Sequence, residues 1–217
     1  MNLYLDLLPR STKQALDYLA SQKWFKKTNW YLSGGTALAL YEGHRKSLDL
    51  DFFLPEKQFS QEKIVEHFKN VQWITDIVRE GTLYGRLLKT KTSFIAFPFF
   101  IPYEQKNFYG SVKILAPADI AVMKVIAISQ RGKMRDFIDL YWYTKKHESL
   151  INVIKKLPKQ YPTVAHDYHH IIKSLIYFED AENDPMPRLY FDTTWKSIKS
   201  YFRHEIPIIT RKLLHLS

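Results

Sequence analysis

The chain has 217 residues, 46% hydrophobic and 25% charged, a balance that places it among folded proteins with a buried core, either one large domain or two small ones. Its 32 basic against 22 acidic residues leave a net charge of +10, a field that favours polyanions such as nucleic acid or phosphate-rich ligands. The absence of cysteine excludes disulfides, thiolate metal centres, cysteine nucleophiles and iron–sulfur clusters.

The first ten residues contain Asp6 and Pro9 and carry no basic leader with an apolar core, and the longest apolar run, residues 94–102, is too short to span a bilayer. The chain thus reads as a cytoplasmic protein with no membrane partner. Residues 11–26 read as a helix capped by Ser11, with Ala15, Leu16, Leu19, Ala20 and Phe25 at helical spacing. Residues 30–32 read as a strand, 36–41 as a helix ended by Gly43, and 47–53 as a second strand. A helix over 60–68 begins at Ser60, and strands follow over 71–80, 82–89 and 92–100, with Gly81 turning between the first two. Ala116-Pro117-Ala118-Asp119 opens a helix running to about residue 130, because proline suits the first turn and aspartate complements the dipole. Gly132 breaks it, residues 133–146 form another helix, and the remainder from 149 reads as largely helical. The expected organisation is an α/β (α+β) core with a small mixed sheet over 1–112, then a helical region over 113–217.

Two motifs in the first half point to chemistry. Ser33-Gly34-Gly35-Thr36 places a diglycine turn at a helix start, where backbone N–H groups and the positive helix end are open to an anion. Ser47-Leu48-Asp49-Leu50-Asp51-Phe52-Phe53 places two carboxylates two residues apart. On a strand such a pair projects from one face, among apolar neighbours Leu48, Leu50, Phe52 and Phe53. Paired carboxylates suit a hard cation such as Mg2+, which takes oxygen ligands and phosphate co-ligands. Order and spacing together describe a metal–triphosphate site.

A second constellation lies in the helical half. Lys124 sits among Ile120, Met123, Val125 and Ala127, with Arg131 on nearly the same helix face; Asp136 and Asp139 are neighbours on the next helix. A lysine in apolar company needs an anion. Either it ties to those aspartates across the helix pair, or it reaches the phosphates of a nucleotide. His166, His169 and His170 cluster near Asp167 in a helical, aromatic-rich stretch and read as an interaction or surface feature. The basic residues Lys155, Lys156, Lys159, Lys196, Lys199, Arg203, Arg211 and Lys212 are either solvated helix faces or guides for an RNA backbone.

Ser-Gly-Gly-Thr-Ala-Leu, followed by Gly43-His44-Arg45-Lys46 and the paired aspartates, resembles the nucleotidyltransferase motif of the AbiEii/AbiGii toxin family. Pro117-Ala118-Asp119-Ile120-Ala121-Val122-Met123-Lys124 and Arg131-Gly132-Lys133-Met134-Arg135-Asp136-Phe137 are similar to its helical motifs, and the likeness covers about residues 30–203. The resemblance implies a polymerase-beta-like nucleotidyltransferase core followed by a helical C-terminal region. It implies that Ser33, Gly34, Gly35, Thr36 and Arg131 bind the nucleotide, that Asp49 and Asp51 hold Mg2+, that Lys124 contacts the triphosphate, and that Asp136 is a further active-site acid. It also implies an NTP substrate, an RNA acceptor with the tRNA 3′ end favoured, and a cognate antitoxin. The sequence departs from a complete carboxylate triad, since residues 93–98, the best match to the strand of the third acid, contain none; Glu80 or Asp136 are the replacements on offer. Nucleotidylation of a protein, or nucleotide binding without catalysis, fits the same motifs.

Overall fold

The computed structural model describes residues 3–213; Met1 and Asn2, part of the segment read above for a leader, lie outside them. The chain divides into two compact units between Ala116 and Pro117.

In the first unit, helix α1 (Arg10–Ser21) buries Ala15, Leu16 and Leu19 along one stripe. Pro9 stands at its N-cap and Ser11 lies inside the first turn, because proline's fixed φ leads straight into a helix. The expected single helix over 11–26 breaks at Gln22, which is extended, and a short α2 (Lys23–Lys26) follows. Strand β1 (Tyr31–Ser33) runs directly into α3 (Gly34–Glu42), ended by Gly43 in the left-handed region. Then come β2 (Leu50–Leu54) and α4 (Gln61–Glu66), whose N-cap Ser60 accepts from the Lys63 N–H. Next are β3 (Trp73–Arg79), β4 (Thr82–Leu87), β5 (Thr90–Ala96), β6 (Asn107–Tyr109) and β7 (Val112–Ile114). The last two strands have no clear sequence pattern, and they complete the sheet before the unit ends at Ala116.

The seven strands form one mixed sheet in the order β3-β4-β5-β2-β1-β7-β6. β2 lies at its centre, antiparallel to β1 and parallel to β5. Leu32, Phe52, Phe94 and Leu83 stand in register across four strands and are completely buried. Phe52 and Phe94 stack with centroids 5.4 Å apart, and Phe25 of α2 meets Phe52 edge-on at 5.1 Å. The alternate residues of the same strands, Ser33, Asp51, Ser93 and Tyr84, form the corresponding row on the opposite face. Two expectations about β2 are corrected here. Pairing begins at Leu50, so Asp49 precedes the strand, and Leu48 is 54% exposed instead of sheltering it.

The β4–β5 connection is a two-residue hairpin through Leu88 (φ 49°) and Lys89 (φ 70°). Such a turn favours glycine or asparagine; with neither at 88 or 89 no turn signal marks it, and the strand expected over 82–89 ends at Leu87.

The second unit comprises α5 (Pro117–Arg131), α6 (Met134–Lys146), α7 (Leu150–Lys155), α8 (Leu157–Gln160), α9 (Tyr168–Ser174), α10 (Glu179–Glu182) and α11 (Trp195–Leu213). Phe137 of α6 is its aromatic hub, with ring centroids 5.1 Å from Phe178, 5.4 Å from Phe202 and 5.8 Å from Trp195. An irregular stretch over 183–194 is anchored where Asp184 accepts from the Met134 N–H at 2.9 Å, at the start of α6. No helix among the described residues is long and apolar enough to cross a membrane.

Lys89 in the left-handed region predicts a stabilising substitution. Lys89→Gly relieves the Cβ penalty and should raise stability by about 0.5–1 kcal/mol, read as a higher urea midpoint with an unchanged slope.

Candidate active site

Asp51 occupies the centre of the sheet's second face. Its neighbour across β1 is Ser33 and across β5 is Ser93, whose hydroxyl donates to Asp51 Oδ1 at 2.7 Å. The other carboxylate oxygen faces the diglycine turn: a Cβ built on Gly34 would stand 3.1 Å from Oδ2. Gly34 also has φ +73°, a conformation other residues rarely adopt. Strand pairing thus brings the glycine motif and the second aspartate together, although seventeen positions of chain, from 34 to 51, separate them.

The turn opens α3, and the Ser33 side chain does not cap that helix. First-turn N–H groups therefore point out of the helix start with its positive dipole end. Gly34 and Gly35 are half-exposed, whereas Ser33 and Thr36 are buried. The Thr36 hydroxyl bonds Ser47 Oγ at 2.9 Å and also approaches the Asp49 carbonyl, so it ties the turn to the segment leading into β2. Arg45, 3% exposed, packs beneath the turn. A Cβ on Gly35 would come within 2.1 Å of Arg45 Nη2 and 3.3 Å of Ser47 Oγ. Each glycine thus makes room for a different partner, one a carboxylate and one a guanidinium.

In the second unit, Lys124 is 4% exposed and its Nζ lies 2.7 Å from both Asp136 Oδ1 and Asp139 Oδ2. Arg131 grips Asp136 with two bonds, Nε to Oδ2 at 2.9 Å and Nη2 to Oδ1 at 3.1 Å. Both aspartates are fully buried. Burial pushes the Asp136 carboxyl up, but the Lys124 and Arg131 charges and their hydrogen bonds outweigh it and hold it below the ordinary carboxylate range. The helix-pair tie is therefore formed, with two cations and two anions closing a compact network.

Other candidates are placed as follows. β5 carries no acid, and Ser93 stands at the register position beside Asp51. Glu80 lies in the β3–β4 turn, beside a cavity of about 370 Å³ lined also by Lys57, Thr82, Ala96 and Phe99. Asp167 caps α9, accepting from the His170 N–H at 3.1 Å, while His170 and His166 ring nitrogens bond the Ser129 and Tyr161 carbonyls. Among the described residues no group of three or more His, Cys, Asp or Glu is arranged to hold a metal. A single hard cation nonetheless fits the corner at β2. Asp51 is a hard oxygen donor of the kind such a cation takes, with Oδ1 held by Ser93 and Oδ2 turned toward Gly34, whose lack of a side chain permits that close approach. Ser93 and Arg45 had no assigned role in the sequence, because a lone serine becomes legible only once register is known, and a buried arginine only once the turn above it is built.

The family model described as "Nucleotidyl transferase AbiEii toxin, Type IV TA system" matches residues 17–83 and 101–208. An uncharacterized protein of Aquifex aeolicus, aq_aa25, is 34% identical over 184 residues, covering 82% of this chain and 86% of that one. Among solved structures, JHP933 of Helicobacter pylori aligns with TM-score 0.51 and 20% identity over 93% of this chain and 94% of its own. MenT4, a nucleotidyltransferase toxin of Mycobacterium tuberculosis, aligns with TM-score 0.53 and 14% identity over 93% of this chain and 86% of its own. At these identities the two structures speak to the fold, a nucleotidyltransferase architecture.

Two predictions follow the geometry. Gly35→Ala forces a methyl into the Arg45 guanidinium, which has no solvent to swing into, and should destabilise by about 1–3 kcal/mol in urea unfolding. Asp136→Asn leaves Lys124 and Arg131 without their shared anion and should cost about 3–5 kcal/mol at neutral pH. The Asp136 carboxyl lies below its unfolded value, so its contribution is complete above the ordinary carboxylate range and fades as pH falls through the depressed folded value. The gap between wild type and variant should therefore narrow only in strong acid, as chemical denaturation across pH would record.

Proposed function

Since the chain belongs to the AbiEii nucleotidyl transferase toxin family of type IV toxin–antitoxin systems, and is on that ground an enzyme, we propose that it transfers a nucleoside monophosphate from an NTP to RNA. The 3′ end of tRNA is the favoured acceptor, the site of action is the cytoplasm, and a cognate antitoxin opposes it. The observation that carries this reading is the contact of Asp51 with the diglycine turn, which sets a carboxylate against the amide-rich start of α3.

On this reading the first-turn amides of α3, at Gly34 and Gly35, receive the phosphates, and the helix dipole favours their charge. Asp49 and Asp51 would hold Mg2+, which when bound supplies neutralisation of charge at the reacting phosphate. Ser93 donates to Oδ1 and so keeps Oδ2 of Asp51 turned to the glycines. Thr36 and Arg45 hold the turn and the Asp49 segment in place from below. The family likeness is what proposes Lys124, Arg131 and Asp136 for the nucleotide; the Lys124 ammonium is taken up by Asp136 and Asp139, so the part proposed for it is to hold Asp136, which in turn fixes the half-exposed Arg131. Positioning and electrostatics carry most of such a phosphoryl transfer. The net charge of +10 suits an RNA acceptor.

The lack of an acid on β5 favours a second reading, nucleotide binding without transfer. Incubating the protein with each α-labelled NTP, Mg2+, total tRNA and cell lysate separates the possibilities. Label entering RNA is the expected result; label entering protein identifies a protein acceptor, and label in neither supports the non-catalytic reading. Asp51→Ala should lower transfer by about 100-fold or more, and transfer at the wild-type rate would remove Asp51 from the site.

A further inference from the structure

The row that contains Asp51 continues beyond Ser93. Tyr84 of β4 pairs with Ser93, and Ile77 of β3 pairs with Tyr84, so the face runs Asp51, Ser93, Tyr84, Ile77 toward the sheet edge. Two interstrand steps put Tyr84 about 10 Å from Asp51. It is 40% exposed and Ile77 43% exposed, whereas the residues behind them, Leu83 and Phe94, are fully buried. Tyr84 therefore presents a ring to solvent on the catalytic side of the sheet, beside an aliphatic neighbour.

Charge on the same face selects what the ring would receive. Two residues along β4, Arg86 stands directly opposite Lys91 of β5, and both are exposed. Like charges facing each other across strands are unfavourable in an isolated sheet. Asp76 offsets one of them, through a 2.7 Å pair with Arg86 that is itself 47% and 37% exposed. An anion arriving between Arg86 and Lys91 would relieve the remainder. An aromatic face with a cationic pair two residues away, within one nucleotide's span, matches the base and phosphate of a single-stranded nucleic acid.

We propose that Tyr84, with Ile77 beside it and Arg86 and Lys91 flanking, forms the acceptor subsite: it stacks a base near the 3′ end of a single-stranded RNA and so brings the terminal hydroxyl toward Asp51. This deepens the function proposed above and rests on the nucleotide corner at Asp51. The stack is indifferent to base identity, because every base offers a π face, and it orders the acceptor without contacting the reacting phosphate. Tyr84 is thus a positioning residue for the acceptor and leaves the NTP untouched.

The test measures two affinities separately on the intact protein. Anisotropy follows a short fluorescein-labelled single-stranded RNA, and calorimetry follows a non-hydrolysable NTP with Mg2+. Tyr84→Ala should weaken RNA binding about 10-fold or more and leave the nucleotide affinity unchanged, while Tyr84→Phe keeps the ring and binds RNA as wild type does. Lys91→Ala should reduce the salt dependence of RNA binding by about one unit of slope. Circular dichroism and thermal melting verify that the variants fold. Tyr84→Ala holding RNA as tightly as wild type overturns the inference, as does a wild-type protein that binds the nucleotide but no RNA. RNA binding lost in Tyr84→Ala, in a wild-type protein that takes no nucleotide, keeps the RNA surface and removes the nucleotide corner instead.

Discussion

The site depends on the central position of β2, clamped between an antiparallel and a parallel neighbour. That clamp puts Ser33, Asp51 and Ser93 in one row, and it holds the diglycine turn against the carboxylate because β1 runs directly into α3. A slip of one residue in either pairing would send Asp51 into the core and Phe52 into solvent. Leu32, Phe52, Phe94 and Leu83 are completely buried on the reverse face, and each contributes roughly 1.5–3 kcal/mol by burial. The Ser93–Asp51 bond, made to a charged group, contributes about 1.5–3 kcal/mol at most. Aromatic packing therefore sets the register, and the polar row inherits it.

The same division explains which parts were legible in advance. Elements defined by periodicity, such as α5, α6 and the strand holding Asp51, announce themselves through apolar spacing. The glycine turn and Asp51 could be named because each needs a particular residue type. Their contact could not, since it arises from pairing between β1 and β2. Leu48 was expected to be sheltered and is exposed, because the pairing that would bury it does not start until Leu50. The hairpin at Leu88 and Lys89 lacks any turn residue, and tertiary pairing of β4 with β5 imposes the left-handed backbone there. Tyr84 reads as one aromatic among fourteen tyrosines until register sets it two strands from Asp51.

The charged quartet of the second unit poses a different balance. Taking Lys124, Asp136 and Asp139 out of water carries a penalty of several kcal/mol per ion, and mutual attraction offsets it only with good geometry. The contacts of 2.7 Å from Lys124 to both carboxylates, and the two-pronged grip of Arg131, supply that geometry. An apolar quartet of similar volume would serve stability as well. What the charges add is direction: an ammonium held by two anions has its position fixed to a degree that a solvated lysine does not. Arg131 differs, with a half-exposed side chain whose outer surface still meets solvent while its inner edge holds Asp136.

Ser93 shows what the missing third carboxylate means for the chemistry. A hydroxyl at that register position can donate to Asp51, whereas a second carboxylate there would repel it and need a cation between them. The serine donates to Asp51 Oδ1 and leaves the row with one negative charge fewer than a second acid there would give it. The corner is built mainly from amides and a helix end, with the Arg45 guanidinium buried beneath it and the Asp51 carboxylate to one side. On the function proposed above, such a corner would suit one cation shared between carboxylate and substrate oxygens. On the function proposed above, activation of the acceptor hydroxyl would depend more on how the acceptor is placed than on a second ion beside it, and the open face toward Tyr84 is where that placement would be made.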